Sequence, residues 1–208
     1  MTPQSPTIAA IRAALRPLDR APRDTCWNAG ELEGLLPADA PTEAAVLVGL
    51  VPRTDGLQVL FTRRTGGLRH HAGQVSFPGG RLEPGDRDAA AAALRETSEE
   101  TGIPQALVIP LGYLDPIATV TGFRVLPTVA VIDAGYAAVP DPREVDEVFE
   151  VAFDHLMEPA NLRRICIDVG GRSRSVFEFV DRGVPGQRIW GVTASILFNL
   201  RERLEATR

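Results

Sequence analysis

The sequence predicts one domain in which β-strands are layered with helices. Three observations carry that expectation. Strand-like stretches recur between residues 44 and 180, about three helical segments are spread along the chain, and no internal repeat or low-complexity linker interrupts them. Such a set points to an α/β/α or α+β arrangement. A length of 208 residues suits a single domain, and 44% hydrophobic residues suit a buried core.

Taken in order, "SPTIAAIRAALRPL" places Ile8, Ile11, Leu15 and Leu18 at helical spacing behind the caps Ser5 or Thr7, and Pro17 ends that helix. Residues 20–43, rich in Pro, Asp and Gly, read as a connector. Residues 1–43 are thus expected to pack as a helix and connector on a domain spanning 44–208. "AAVLVGLV" (44–51) and "LQVLFTRR" (57–64) flank the turn "PRTDG" as a hairpin. The Gly-rich stretch 65–80 holds only a short "QVSF" of strand character. A helix follows over 86–102, Ala-rich inside, with Asp at its start and Gly102 at its stop. Strands are expected at 107–114, 123–132, 147–153, 163–169 and 175–180, and a last helix over 192–204 aligns Ile196, Leu197, Leu200 and Leu204.

Charge and composition exclude several classes of function. A net charge of −5 gives no broad basic surface, so nucleic acid is not an expected partner. All 22 basic residues are Arg, which GC-biased coding explains, although arginine also forks onto phosphates. No apolar run nears the ~20 residues that span a bilayer, and the N-terminus has no signal-peptide pattern. A soluble, cytoplasmic protein without membrane attachment is expected. Cys26 and Cys166 read as buried free thiols, and Trp190 as a core residue rather than a base-stacking one.

"ALRETSEETGI" (93–103) concentrates three glutamates in five positions. At ~100° per residue, Glu96, Glu99 and Glu100 share one face while Ala90, Leu94 and Thr101 lie opposite. Arg95 can pair with Glu99 four residues on. An acidic helix face is ordinarily solvated, but "FPGG" precedes this helix, and Gly79 and Gly80 let backbone approach a ligand closely. Hard oxygen ligands on adjacent turns suit Mg²⁺ or Mn²⁺, which complete their shells with water and substrate phosphates.

Residues 80–103 resemble the Nudix box, G-x5-E-x7-R-E-U-x-E-E-x-G-U, through Gly80, Arg95, Glu96, Glu99, Glu100, Gly102 and Ile103. Asp86 stands at the first Glu, Thr97 replaces an aliphatic residue, and one extra residue separates Asp86 from Arg95. "LFTRRTGGLRHHAGQVSFPGG" (60–80) is similar to the signature of the coenzyme A (CoA) diphosphatase branch, through Thr62, Arg64, Arg69, Gly73 and Phe77 to Gly80. The segments 114–129 and 188–197 also resemble that branch. The resemblance implies a Nudix fold, a mixed sheet sandwiched between helices. It also implies Mg²⁺- or Mn²⁺-dependent cleavage of the diphosphate of CoA or a derivative into 3′,5′-ADP and 4′-phosphopantetheine.

On that resemblance Glu96 and Glu100 are the principal metal ligands, Glu99 a further ligand or activator, and the Gly80 carbonyl an additional ligand. Arg95 orients the carboxylates. Glu99, Glu144 and Glu147 stay open as the general base, the last two being read first as a solvated turn. One or more of Arg64, Arg69 and His71 are expected to contact CoA phosphates, the alternative being that Arg64 ends a strand and His71 is a structural histidine, with His70 facing solvent. Competing readings are a Nudix hydrolase for NADH, ADP-ribose or a nucleoside triphosphate, and a non-catalytic nucleotide-binding domain. Whether the N-terminal helix supports a homodimer is left open.

Overall fold

The computed structural model describes residues 6–66, 72–169, 171–180 and 187–207. Helix α1 (Ile8–Ala14) opens on Thr7, whose hydroxyl accepts from the Ala10 N–H at 3.2 Å. Strands β1 (Thr42–Arg53) and β2 (Gly56–Arg64) form the expected hairpin, followed by β3 (Val75–Ser76), β4 (Gly79–Arg81) and helix α2 (Ala89–Thr101). Then come β5 (Val108–Tyr113), β6 (Ile117–Ala118), β7 (Phe123–Ile132), β8 (Val145–Ala152) and α3 (Phe153–Met157). Strands β9 (Leu162–Val169) and β10 (Arg172–Phe179) and helix α4 (Gly191–Ala206) complete the chain.

The main sheet runs β3-β2-β1-β7-β5, with β8 on β2, β4 on β1 and β6 on β7. Only the β1–β7 pairing among these is parallel, so the sheet is mixed. Strands β9 and β10 form a separate antiparallel pair. Central β1 is apolar along almost its whole length because both its faces are covered. Its two-residue period sends Ala45, Leu47 and Val51 toward the alanines of α2, and Val48 and Leu50 toward the side of α1 and α4. The sheet is therefore sandwiched between α2 on one face and α1, α3 and α4 on the other, an α/β/α arrangement.

A polar node on the second face ties chain ends together. Asp115 accepts from Arg16 at 2.7 Å, from Arg203 at 3.0 Å and from Asn199 at 3.0 Å, and Arg203 also donates to the Ala14 carbonyl at 2.7 Å. Burial would raise Asp115, but the hydrogen bond from Asn199 and the contacts of Arg16 and Arg203 hold it below the usual carboxylate range. Helix α1 ends before Leu15, so Leu18 falls outside it, yet Leu15 still reaches the core. Three side-chain expectations need correction. Cys166, on β9 of the two-stranded pair, is exposed, and Cys26 is half-buried. Trp190 is half-buried, capping α4 beneath the Arg188 guanidinium at 4.6 Å instead of filling the core.

Candidate active site

Helix α2 starts where Asp88 caps it, accepting from the Ala91 N–H at 2.8 Å, and stops at Gly102, whose φ of 70° lies in the left-handed region. A side chain at Gly102 would also press on the Val139 carbonyl at 2.7 Å. Ala89, Ala90, Ala92, Ala93, Thr97 and Thr101 are buried against the sheet. Thr97, the departure at an aliphatic position, donates its hydroxyl to the Ala93 carbonyl at 2.7 Å, so it enters the core with its polar group satisfied.

The three glutamates differ in environment. Glu99 is exposed, Glu96 half-buried, and Glu100 only 4% exposed. Glu100 therefore belongs to the packed side of the helix, where it looks toward the sheet. Burial pushes its carboxyl up to about 7, against the pull of Arg64 and a hydrogen bond from the Gly79 N–H at 3.2 Å. Burial raises Glu96 as well, opposed by Arg95. Gly79 has φ of 157°, and a Cβ there would meet β1 backbone, while a Cβ on Gly80 would fall into the Glu96 carboxylate. Both glycines of "FPGG" are thus required by the close approach of β4 to β1 and to α2.

Arg95 organises the acidic face. Its guanidinium contacts Asp86 at 2.9 Å, Glu96 at 3.0 Å and Glu99 at 3.2 Å, and donates to the Arg81 carbonyl at 3.2 Å. Asp86, buried and also accepting from the Glu83 N–H at 2.8 Å, is held below its ordinary range chiefly by Arg95. The Asp at this position and its extra residue are accommodated by that turn, which brings both oxygens of a shorter carboxylate onto the Nε–Nη2 edge of Arg95.

Arg64 is the last residue of β2. Leu60, Thr62 and Arg64 share the strand face toward α2, and an irregularity in the β2–β8 pairing falls between Arg63 and Arg64. The Arg64 Nη1 lies 3.5 Å from the Glu100 Oε1. Arg69 and His71, as well as His70, lie outside the described residues.

The β7–β8 loop closes the site. The Val139 N–H donates to the Thr101 carbonyl at 2.8 Å, the Asp141 N–H to the Glu100 carbonyl at 3.0 Å, and the Glu144 carbonyl accepts from the Thr65 N–H at 2.9 Å. Glu96, Glu99, Glu100, Asp141, Arg143 and Glu144 line a cavity of about 180 Å³. Glu144, read from sequence as a solvated turn, is exposed but stands in this wall. Glu147 does not line it and instead pairs with Arg63 at 3.1 Å and accepts from Gln187 at 2.9 Å. Asp141 and Arg143 were not singled out from sequence, and no local signal marks them, since hydrogen bonds to α2 bring them in.

Five carboxylates and Arg143 line the cavity, Arg143 being paired with Asp141 at 2.5 Å, while Arg95 pairs with Glu96 and Glu99 and Arg64 faces Glu100. Among the described residues no group of three or more His, Cys, Asp or Glu side chains is arranged to hold a metal ion by itself. A hard divalent ion of the Mg²⁺ kind takes one or two carboxylates and leaves its other positions to water and phosphate oxygens. The carboxylates of Glu96, Glu99 and Glu100 in the cavity wall are hard oxygen donors of the type that such an ion takes.

Comparison with known proteins agrees with this construction. Residues 42–165 match the NUDIX domain, a span from β1 into β9 that includes α2 and the closing loop. The chain is 37% identical over 166 residues to the uncharacterized Nudix hydrolase NudL of Pectobacterium atrosepticum, covering 80% of this chain and 84% of that one. It is 33% identical over 168 residues to NudL of Photorhabdus laumondii, covering 81% and 88%. A MutT/nudix family protein from Enterococcus faecalis has the same fold, with a TM-score of 0.51 at 16% identity over 98% of this chain and 76% of that one. With the box helix, its glycine entry and its carboxylate-lined cavity in place, the chain belongs to the Nudix family and is a pyrophosphohydrolase.

Proposed function

We propose that this enzyme hydrolyses the diphosphate bond of CoA or a CoA derivative, giving 3′,5′-ADP and 4′-phosphopantetheine or its acylated form. Mg²⁺ or Mn²⁺ at Glu96 and Glu100 is part of the proposal. The observation that carries it is the meeting of two sequence signatures on one carboxylate. Arg64 and Gly79, from the 60–80 stretch similar to the CoA diphosphatase signature, both contact Glu100 of the Nudix box.

When bound, the ion neutralises diphosphate charge and lowers the pKa of a coordinated water. The chain's residues do the rest. Arg95 holds Glu96 and Glu99 in fixed orientation, itself anchored by Asp86. The Gly79 N–H aims Glu100, and the resemblance to the Nudix box adds the Gly80 carbonyl as a further ligand. Glu144, on the wall facing α2, takes the proton of the attacking water, with Glu99 the other carboxylate able to do so. Arg64 binds diphosphate oxygens, and Arg69 of the same stretch serves the 3′-phosphate through its forked guanidinium, with His71 a further phosphate contact.

The test is kcat/KM for CoA, NADH, ADP-ribose and nucleoside triphosphates under saturating Mg²⁺ and then Mn²⁺. CoA should exceed the others by at least ~10-fold, the discrimination expected when a site built for a charged group finds it missing. Preference for another of these nucleotides would retain the Nudix chemistry and reject the CoA assignment.

A further inference from the structure

The position of Arg64 carries an inference about the order in which the site fills. Glu100 is nearly enclosed. One carboxylate oxygen accepts from the Gly79 N–H at 3.2 Å, and the other faces the Arg64 guanidinium at 3.5 Å. That separation is long for a charge-assisted pair, which closes to about 2.7–2.9 Å when geometry is free to optimise. The Arg64 backbone is fixed, since its N–H donates to the Gln74 carbonyl at 3.0 Å and its carbonyl accepts from the Gly73 N–H at 3.1 Å. Its side chain is 26% exposed. An anchored stem, a loose contact and partial exposure describe a cation able to leave its carboxylate. Arg95 contrasts with it, being held by three carboxylates and a carbonyl on the same helix face.

We propose that Arg64 stands in for the divalent ion at Glu100 and is released to the substrate diphosphate when that ion binds. The inference rests on Glu100 being a metal ligand. While Arg64 neutralises Glu100 it is occupied and offers little to an anion. Once Glu100 has a metal ion for its counter-charge, Arg64 turns a few ångströms into the cavity and forks onto phosphate oxygens. Metal and diphosphate then bind with positive coupling through one side chain. Free diphosphate without metal meets a site whose Arg64 is already taken.

Binding measured without turnover tests this. Mn²⁺ binding is followed by electron paramagnetic resonance, and binding of methylenediphosphonate by calorimetry with and without Mn²⁺, for wild type, Arg64→Gln and Arg64→Lys. Arg64→Gln should bind Mn²⁺ alone more tightly than wild type, because the competing cation is gone. In Mn²⁺ it should bind the diphosphonate at least ~10-fold more weakly, the worth of one charged hydrogen-bond pair. Without Mn²⁺ its diphosphonate affinity should equal that of wild type, a pattern that nearby positive charge alone would not produce. Arg64→Lys, which keeps the charge, should hold Mn²⁺ affinity near wild type and recover part of the diphosphonate affinity. Weaker Mn²⁺ binding by Arg64→Gln, or equal loss of diphosphonate with and without metal, would overturn the exchange while leaving the metal site standing. Failure of wild type to bind Mn²⁺ at all would overturn both.

Discussion

Replacing Glu100 by Gln should make the metal-free protein more stable and the enzyme inactive. The carboxyl is 4% exposed, and burial lifts it from an ordinary 4.5 to about 7. A folded-state pKa above the unfolded one means that the folded protein binds the proton more tightly. Its stability contribution therefore declines as pH rises from 4.5 and is fully lost above 7. At ~1.4 kcal/mol per pH unit, that interval corresponds to about 3 kcal/mol at pH 8. Gln keeps the acceptor for the Gly79 N–H and carries no charge, and the half-exposed Arg64 can turn to solvent. Thermal unfolding in chelator should thus show E100Q and wild type alike at pH 5. At pH 8 the variant should melt ~6–12 °C higher, at ~2–4 °C per kcal/mol for a chain of this size. Saturating Mg²⁺ should reverse the order, since only wild type gains binding energy. A variant that melts below wild type in chelator at pH 8 would refute the reasoning, as Glu100 would then be stabilising as an anion.

Other substitutions read other parts of the site. Gly80→Ala pushes a methyl into the Glu96 carboxylate and should weaken Mn²⁺ affinity at least ~10-fold, at ~1–3 kcal/mol in stability, measured by titration and denaturant unfolding. Asp86→Asn leaves Arg95 without its strongest partner and should cost ~2 kcal/mol at neutral pH. Because Asp86 is held below its ordinary range, that difference should shrink as pH falls through the Asp range in denaturant titrations at stepped pH. Thr97→Val removes a hydroxyl whose carbonyl partner is already in the helix ladder, so unfolding should change by less than ~1 kcal/mol and activity should not change.

What could be read from sequence was what depends on local chemistry. The strand at 123–132 and the stop of α2 at Gly102 appear where strand-like composition and glycine place them. The pairing of Arg95 with Glu99 follows from helix spacing alone. Strands β4 and β6 were not foreseen, because three and two residues become strand only by pairing with β1 and β7. A helical wheel grouped Glu96, Glu99 and Glu100 but could not show that Glu100 is nearly enclosed, which depends on β4, Arg64 and the closing loop arriving around it. Glu144 and Glu147 looked equivalent in "DPREVDEV"; the Asp141–Glu100 backbone bond puts one in the cavity wall, and Arg63 takes the other.

The central claim is that a carboxylate-held divalent ion serves hydrolysis of a CoA diphosphate. Mass spectrometry of CoA incubated with the enzyme in Mg²⁺, and in parallel with chelator, tests it most directly. The account predicts 3′,5′-ADP and 4′-phosphopantetheine in equal amounts with Mg²⁺ and intact CoA with chelator. Intact CoA in Mg²⁺ and in Mn²⁺, from a folded enzyme that cleaves another nucleoside diphosphate derivative, would contradict it.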